Sequence, residues 1–306
     1  MNRLLLMLLA AALSCATAPT AARVEHAPRG ALQLTYLGVA GWMISDGRAT
    51  VLLDPYFSRG QGTGDDQLLR PDEHEIAAHI PAKPVDAILI SHSHSDHLLD
   101  APAIAARTGA QLVGTPSTIH FARASGIPDD HLITVKGGED FEFGDFSVRV
   151  LPSLHSALGG KHSFGADRLI AADVKPPLAF GQFNEGGTLV FLVRMAGREV
   201  LFLGTANFIE RELDGLRPDV AIVATGAREE IHDYSCRLMH ALGSPRLVLA
   251  NHFDQWKVPL EKDDKLPDDV SADLAAFAAE IKGCSPGTQV VIPRHEVPFP
   301  LAADAN

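Results

Sequence analysis

Cysteine is scarce: Cys15, Cys236 and Cys284 are the only three in 306 residues. Neither Cys236 nor Cys284 sits in a metal-ligand pair, which argues against a thiolate centre and leaves each to be buried or bridged. Beyond the N-terminus no stretch is long and apolar enough to be a transmembrane helix. Positive charge is in deficit, and a formal net charge of -12 argues against a nucleic-acid backbone as partner. A glycine-rich phosphate loop and a nucleophile-elbow serine are both missing, so a serine route fits poorly. Internal repeats and low-complexity tracts are also absent.

The first residues read as a targeting segment. Arg3 supplies a short positive region, Leu4 to Leu13 is continuously apolar, and small residues follow to Ala22. Residues 1–22 are therefore expected to be a signal peptide, with export to the periplasm or beyond. Cleavage after Ala18 is disfavoured by Pro19. Leu13-Ser14-Cys15 loosely matches a lipoprotein box, so a lipid anchor at Cys15 stays open. In an oxidising compartment Cys236 and Cys284 have the chance to pair, although their spacing does not say so.

With 46% hydrophobic residues, the remaining chain can bury a large core. Alternating segments predict strands at 32–37, 42–45, 49–53, 87–90, 111–114, 132–135, 140–143 and 146–151. A second series falls at 188–193, 199–203, 220–223, 247–250 and 289–292, the last being the final strand. Helices are expected over 98–107, 208–213, 232–242 and 270–281, and over a segment capped by Ser117 and running to Ala124. This order suits two mixed sheets packed together with helices outside. Three loops are irregular, at 58–67, 156–187 and 254–269, and substrate selectivity is expected on the second and third.

The densest chemistry is Ser91-His92-Ser93-His94-Ser95-Asp96-His97. On an extended chain His92, His94 and Asp96 share one face, and His97 joins them only if the chain turns after Asp96. Imidazole and carboxylate at this density suit zinc or a similar metal; scattered surface histidines seldom repeat in this way beside an acid. Asp96 has a second candidate duty as the N-cap of the next helix.

This motif resembles the signature of the metallo-β-lactamase fold superfamily, and the surrounding frame is similar in the same order. Leu52-Leu53-Asp54-Pro55 looks like its early acid, His155 its next metal histidine, Leu201-Phe202-Leu203-Gly204 its strand ending in Gly-Asp, and His252 its final ligand. Tyr36-Leu37-Gly38 and Asp54-Pro55 resemble the lactonase-like and N-acyl phosphatidylethanolamine phospholipase D-like branches. The resemblance implies an α/β (α+β) fold, a four-layer αββα sandwich of two mixed β-sheets with outer helices, over residues 30–300. It also implies one metal on His92, His94 and His155 and a second on Asp96, His97 and His252.

Two positions depart from the pattern. Thr205 stands where a bridging aspartate is usual, with Asn207 or Asp173 as candidate substitutes, and Val39 stands where the branch often has a histidine. The three-histidine set is therefore expected to fill first. Asp54 is expected to position a metal histidine from behind, or else to be a turn aspartate before proline; Thr205 to hydrogen-bond a metal-bound water or simply end its strand; and His162 reads as a solvated loop histidine, with contact to substrate as the alternative.

The implied cofactor is one or two Zn2+ ions, with iron or manganese open, and the implied partner is a small molecule. The implied activity is an exported zinc hydrolase in which a metal-activated water, with Asp96 orienting or deprotonating it, attacks an ester, lactone, amide or phosphodiester. An iron-dependent oxidoreductase similar to persulfide dioxygenases, and a metal-binding protein that has lost activity, are the alternatives.

Overall fold

A computed structural model describes residues 30–80, 84–158, 168–259 and 266–301. The expected signal peptide, Cys15 and His162 lie outside the described residues. The first sheet contains β1 (Leu32–Gly38), β2 (Gly41–Ser45), β3 (Thr50–Leu53), β4 (Ala87–Leu89), β5 (Gln111–Gly114) and β6 (Leu132–Thr134). The second contains β7 (Asp140–Glu142), β8 (Phe146–Ser153), β9 (Thr188–Met195), β10 (Arg198–Leu203), β11 (Val220–Ala224), β12 (Leu247–Asn251) and β13 (Gln289–Val291). A further strand, β14 (Pro298–Leu301), returns to the first sheet and pairs antiparallel with β1, giving seven strands in each. Each sheet is mixed: β3 to β6 run parallel, as do β10 to β13, beside antiparallel hairpins.

Strand alternation explains the layering. In β9, Leu189, Phe191, Val193 and Met195 face the first sheet, while Val190 and Leu192 face outward onto helices. In β10, Val200 and Phe202 face in, and Leu201 and Leu203 face out. Both faces are buried, so these strands read as nearly continuous apolar runs. Phe191 and Phe202 are fully buried, and truncating either to alanine costs about 3–5 kcal/mol.

Helices α1 (Glu73–His79), α2 (Ser95–Leu98), α3 (Ala101–Thr108) and α4 (Pro116–Ala124) follow one another along the chain. Of these, α1, α3 and α4 bury Ile76, Ile104 and Phe121 on the outer face of the first sheet. Helices α5 (Glu210–Leu213), α6 (Tyr234–Ala241) and α7 (Asp268–Cys284) cover the second with Leu213, Leu238, Phe277 and Ile281. The fold is the αββα sandwich, and Cys236 and Cys284 are joined by a disulfide that ties α6 to α7, with Cα atoms 5.6 Å apart.

Several local expectations change. The helix expected over 98–107 is two, because Pro102 has no N–H to offer Leu98 and α3 restarts just ahead of it. Thr115, not Ser117, is the N-cap of α4, since Pro116 occupies its first turn; the Ser117 hydroxyl instead accepts the Ile170 N–H at 3.0 Å. Asp96 lies within α2, whose N-cap position is His94, so it is no helix cap. Helix α1, capped by the Asp72 side chain, was not anticipated. Neither was β14, whose Pro298 and Pro300 are tolerable because it lies at a sheet edge.

Candidate metal centre

The parallel strands deliver their C-terminal ends to one edge of the sandwich. Asp54 follows β3, His92 and His94 follow β4, Thr205 follows β10 and His252 follows β12. His155 arrives from the end of β8. Open α/β sheets place their ligands at such strand ends. The chain turns at Ser95, two residues earlier than the expected turn after Asp96, so Asp96 leaves the face of His92 and His94 and the single turn of α2 places it with His97 and His252.

His92, His94 and His155 form a nearly equilateral triangle. Their ring centroids are 4.7, 4.8 and 4.7 Å apart and each pair of rings meets edge-on. His92 Nε2 and His94 Nδ1 approach to 3.0 Å. A tetrahedral ion with bonds of about 2.0–2.1 Å separates neighbouring donors by about 3.3 Å, so the donor set fits a zinc-sized cation. A second set is Asp96, His97 and His252, and a third grouping joins Asp54 to His92 and His97. In the second set Asp96 Oδ2 lies 3.4 Å from His252 Nε2 and 3.6 Å from His97 Nε2.

Partners behind the rings fix which nitrogen carries the proton. His97 Nδ1–H donates to Asp54 Oδ2 at 2.7 Å, leaving Nε2 a lone pair. His92 Nδ1–H donates to Ser91 Oγ at 3.0 Å, and the Ser91 hydroxyl passes the bond on to Asp54 Oδ2. His155 Nδ1–H donates to the Ser156 carbonyl at 3.0 Å. Asp54 thus supports both donor sets, directly at His97 and through Ser91 at His92. Its other oxygen accepts the Ser91 N–H at 2.7 Å. Gly204 makes room for this: a β-carbon there would lie 2.6 Å from Asp54 Oδ2.

The electrostatics divide the two sets. Burial, with the neighbouring histidines His97, His94, His155 and His252, holds His92 well below the usual imidazole range. Burial, then His94, pushes His155 down to about 3. Both rings are therefore neutral lone-pair donors. Burial alone would also lower His97, but the Asp96 and Asp54 carboxylates outweigh it and hold His97 above its ordinary value. Burial would raise Asp96, yet His97, His252 and His94 hold it far below the carboxylate range. The second set thus keeps an ionised carboxylate beside an imidazole whose protonated form is favoured.

Thr205 does not reach both sets as a carboxylate would. Its hydroxyl accepts the Ser156 N–H at 3.2 Å and braces the loop carrying His155. Asn207 donates Nδ2–H to the His155 carbonyl at 2.9 Å. Asp173 is exposed and joins none of the described donor groupings. Among the described residues, the carboxylate grouped with a member of each set is Asp54, with His92 and His97, and it stands behind the rings, where its Oδ2 accepts the His97 Nδ1–H.

Above the centre lies an open cleft of about 1330 Å³. Phe180 and Trp256 form one wall, stacked at 6.1 Å with an interplanar angle of 8°. Asp65, Asp66 and Asp269 line it too, and Arg168 is the only lysine or arginine among its described lining residues. Trp42, the other tryptophan, is core: its Nε1–H donates to Asn251 Oδ1 at 2.9 Å. Arg59, Asp254 and Phe180 carry no signal in the sequence, because only long-range contacts bring them here, and Ser91 heads the motif but owes its role to Asp54, 37 positions away.

Comparison with known proteins gives a consistent result. The model of a β-lactamase superfamily domain matches residues 33–252. A UPF0173 metal-dependent hydrolase from Heliobacterium modesticaldum is 27% identical over 258 residues, covering 80% of this chain and 88% of that protein. The solved structure of Igni18, a metallo hydrolase from Ignicoccus hospitalis, superposes with a TM-score of 0.59 at 17% identity, covering 89% of this chain and 99% of that one. CmlA, a diiron β-hydroxylase from Streptomyces venezuelae, superposes with a TM-score of 0.57 at 18% identity, covering 91% of this chain and 55% of that one.

Proposed function

Because the chain belongs to the metallo-β-lactamase superfamily and is a metal-dependent hydrolase, we propose that it is a zinc enzyme cleaving uncharged acyl substrates with an apolar group. The substrate is an ester, lactone or amide in this reading. The carrying observation is the triangle of His92, His94 and His155, with two of its tautomers set from behind, at the floor of an open cleft. A bound zinc ion would act as a Lewis acid and ready water for attack near neutral pH.

The protein's own residues do the rest. Asp96, held anionic beside His97 and His252, accepts a hydrogen bond from the attacking water and orients it. His97 and His252 orient that carboxylate. Phe180 and Trp256 receive the apolar part of the substrate. The carboxylates of Asp65, Asp66 and Asp269 disfavour a phosphodiester or carboxylate approaching the cleft, which selects neutral acyl substrates among those the motif allows. For the iron-oxidoreductase alternative the chain shares only its fold with CmlA, whereas relatives such as the Heliobacterium modesticaldum protein are hydrolases by name.

We also propose export, with residues 1–22 as leader. The Cys236–Cys284 disulfide supports an oxidising compartment.

The test pairs nitrophenyl esters with nitrophenyl phosphodiesters sharing the same leaving group. Chelation should abolish ester cleavage and zinc restore it, His94→Ala should abolish it, and the neutral ester should outpace the phosphodiester. Faster phosphodiester cleavage would overturn the substrate class. Ester cleavage surviving both chelation and His94→Ala would overturn the zinc mechanism.

A further inference from the structure

We propose that the buried Arg59–Asp254 ion pair is a positioning device for His252, acting through the peptide of Val39. The inference rests on the metal-centre reading above and names residues that neither donor set contains. Asp254 and Arg59 face each other at 2.9 Å with both side chains wholly buried. Burying an ion pair is costly unless hydrogen bonds satisfy it, and apolar side chains would fill the same space at less cost. The geometry supplies a reason for its presence.

Asp254 collects donors from three directions. The Val39 N–H lies 2.8 and 3.0 Å from its two oxygens, while Arg59 Nη2 and His295 Nε2 each reach Oδ2 at 2.9 Å. On the carbonyl side of the same residue, Val39 accepts the His252 N–H at 2.8 Å and the Tyr36 hydroxyl at 2.9 Å. The carboxylate therefore holds Val39, and Val39 holds the backbone of His252. Both are in the left-handed region, with φ of 54° for Val39 and 52° for His252. Non-glycine residues stay there only where surrounding contacts over-determine them, most of all a β-branched valine.

Gly38 completes the device. Its φ is 92°, and a β-carbon there would run into the Arg59 guanidinium and lie 3.0 Å from Asp254 Oδ2. The turn between β1 and β2, in the first sheet, is thus clamped to the loop after β12, in the second. His252 is the member of its donor set that comes from this loop, whereas Asp96 and His97 come from α2. The Asp254 side chain is fully buried, so it acts through Val39 and not on substrate.

The experiment separates position from stability. The double variant Arg59→Met with Asp254→Leu removes the charges and the acceptor together and leaves no orphan ion. Histidine ring 15N spectra of chelator-treated protein should show His252 signals moved and those of His92 and His155 in place. Cobalt titration should show the second ion weakened about 10- to 100-fold and the first unchanged, the range typical of lost support behind a ligand. Arg59→Gln with Asp254→Asn keeps an acceptor for Val39 and should restore most of that loss.

Should the apolar double variant fail to fold, Arg59→Met alone carries the test at about tenfold, since it removes one of the donors that hold the Asp254 carboxylate against Val39. Unmoved His252 signals in a folded variant would overturn the proposal, as would equal weakening of both ions or a single wild-type ion that no variant affects. A wild-type protein that binds no cobalt would overturn the metal reading instead, and the His252 spectra would still decide this one.

Discussion

Replacing Asp54 by asparagine should cripple the second donor set while leaving the fold intact. Asp54 is fully buried and receives three donors: the Ser91 N–H, the Ser91 hydroxyl and His97 Nδ1–H. An amide offers one acceptor and one donor where the carboxylate offers two acceptors. In either orientation its NH2 faces a donor. The conflict is relieved most easily if His97 moves its proton to Nε2 and accepts at Nδ1. That removes the Nε2 lone pair facing Asp96, 3.6 Å away. A hydrogen bond to a charged group contributes about 1.5–3 kcal/mol. Losing it corresponds to roughly a 10- to 100-fold weaker second ion, in line with other partners of metal-bound histidines. His92, reached only through the Ser91 hydroxyl, should weaken less. Competition with a chromophoric zinc chelator measures both affinities, and ring 15N shifts report the His97 tautomer directly. If Asp54→Asn leaves both zinc affinities within twofold of wild type and His97 still protonated at Nδ1, the tautomer argument fails.

Other consequences can be measured independently. Burial raises the Asp100 carboxyl to about 6, against the hydrogen bonds it accepts from Phe57 and Ser58. A raised folded pKa makes its contribution greatest below about pH 4 and lost as pH climbs through 6, a change of about 3 kcal/mol. The stability difference between Asp100→Asn and wild type should therefore shift in the variant's favour by about that much from pH 4 to pH 8 in urea unfolding, and a flat difference would refute it. The Cys236–Cys284 bridge spans 48 residues. Chain entropy assigns a loop of that size about 4 kcal/mol, so Cys236→Ser with Cys284→Ser should unfold at markedly lower urea, and an unchanged midpoint would count against the pairing. Trp256→Ala should lower kcat/KM for an aryl ester about 3- to 10-fold and leave a methyl ester nearly unaffected. Equal losses on both esters would remove Trp256 from the substrate wall.

Much of the scaffold was legible because it is local. Nearly continuous apolar runs mark β9 to β12, since both faces of each strand are buried against different layers. Turn pairs such as Asp46-Gly47 and Ala196-Gly197 place hairpins that the register confirms. Helix α1 and strand β14 escaped for opposite reasons. The first is short, with one fully buried residue, and the second carries two prolines that only an edge position excuses.

The sequence alone determined that His92, His94, Asp96 and His97 would lie together, because six consecutive residues can hardly be kept apart. It also determined the order of strand ends that brings His155 and His252 to the same edge, given the family resemblance. Only the tertiary structure decided what stands behind those rings. Asp54 meets His97 across 43 positions, Asn207 reaches the His155 carbonyl across 52, and Arg59 meets Asp254 across 195. Such bonds leave no local pattern, since a buried carboxylate and a turn aspartate read alike in sequence. Packing the two sheets face to face decides which of them accepts a hydrogen bond from a metal-facing histidine.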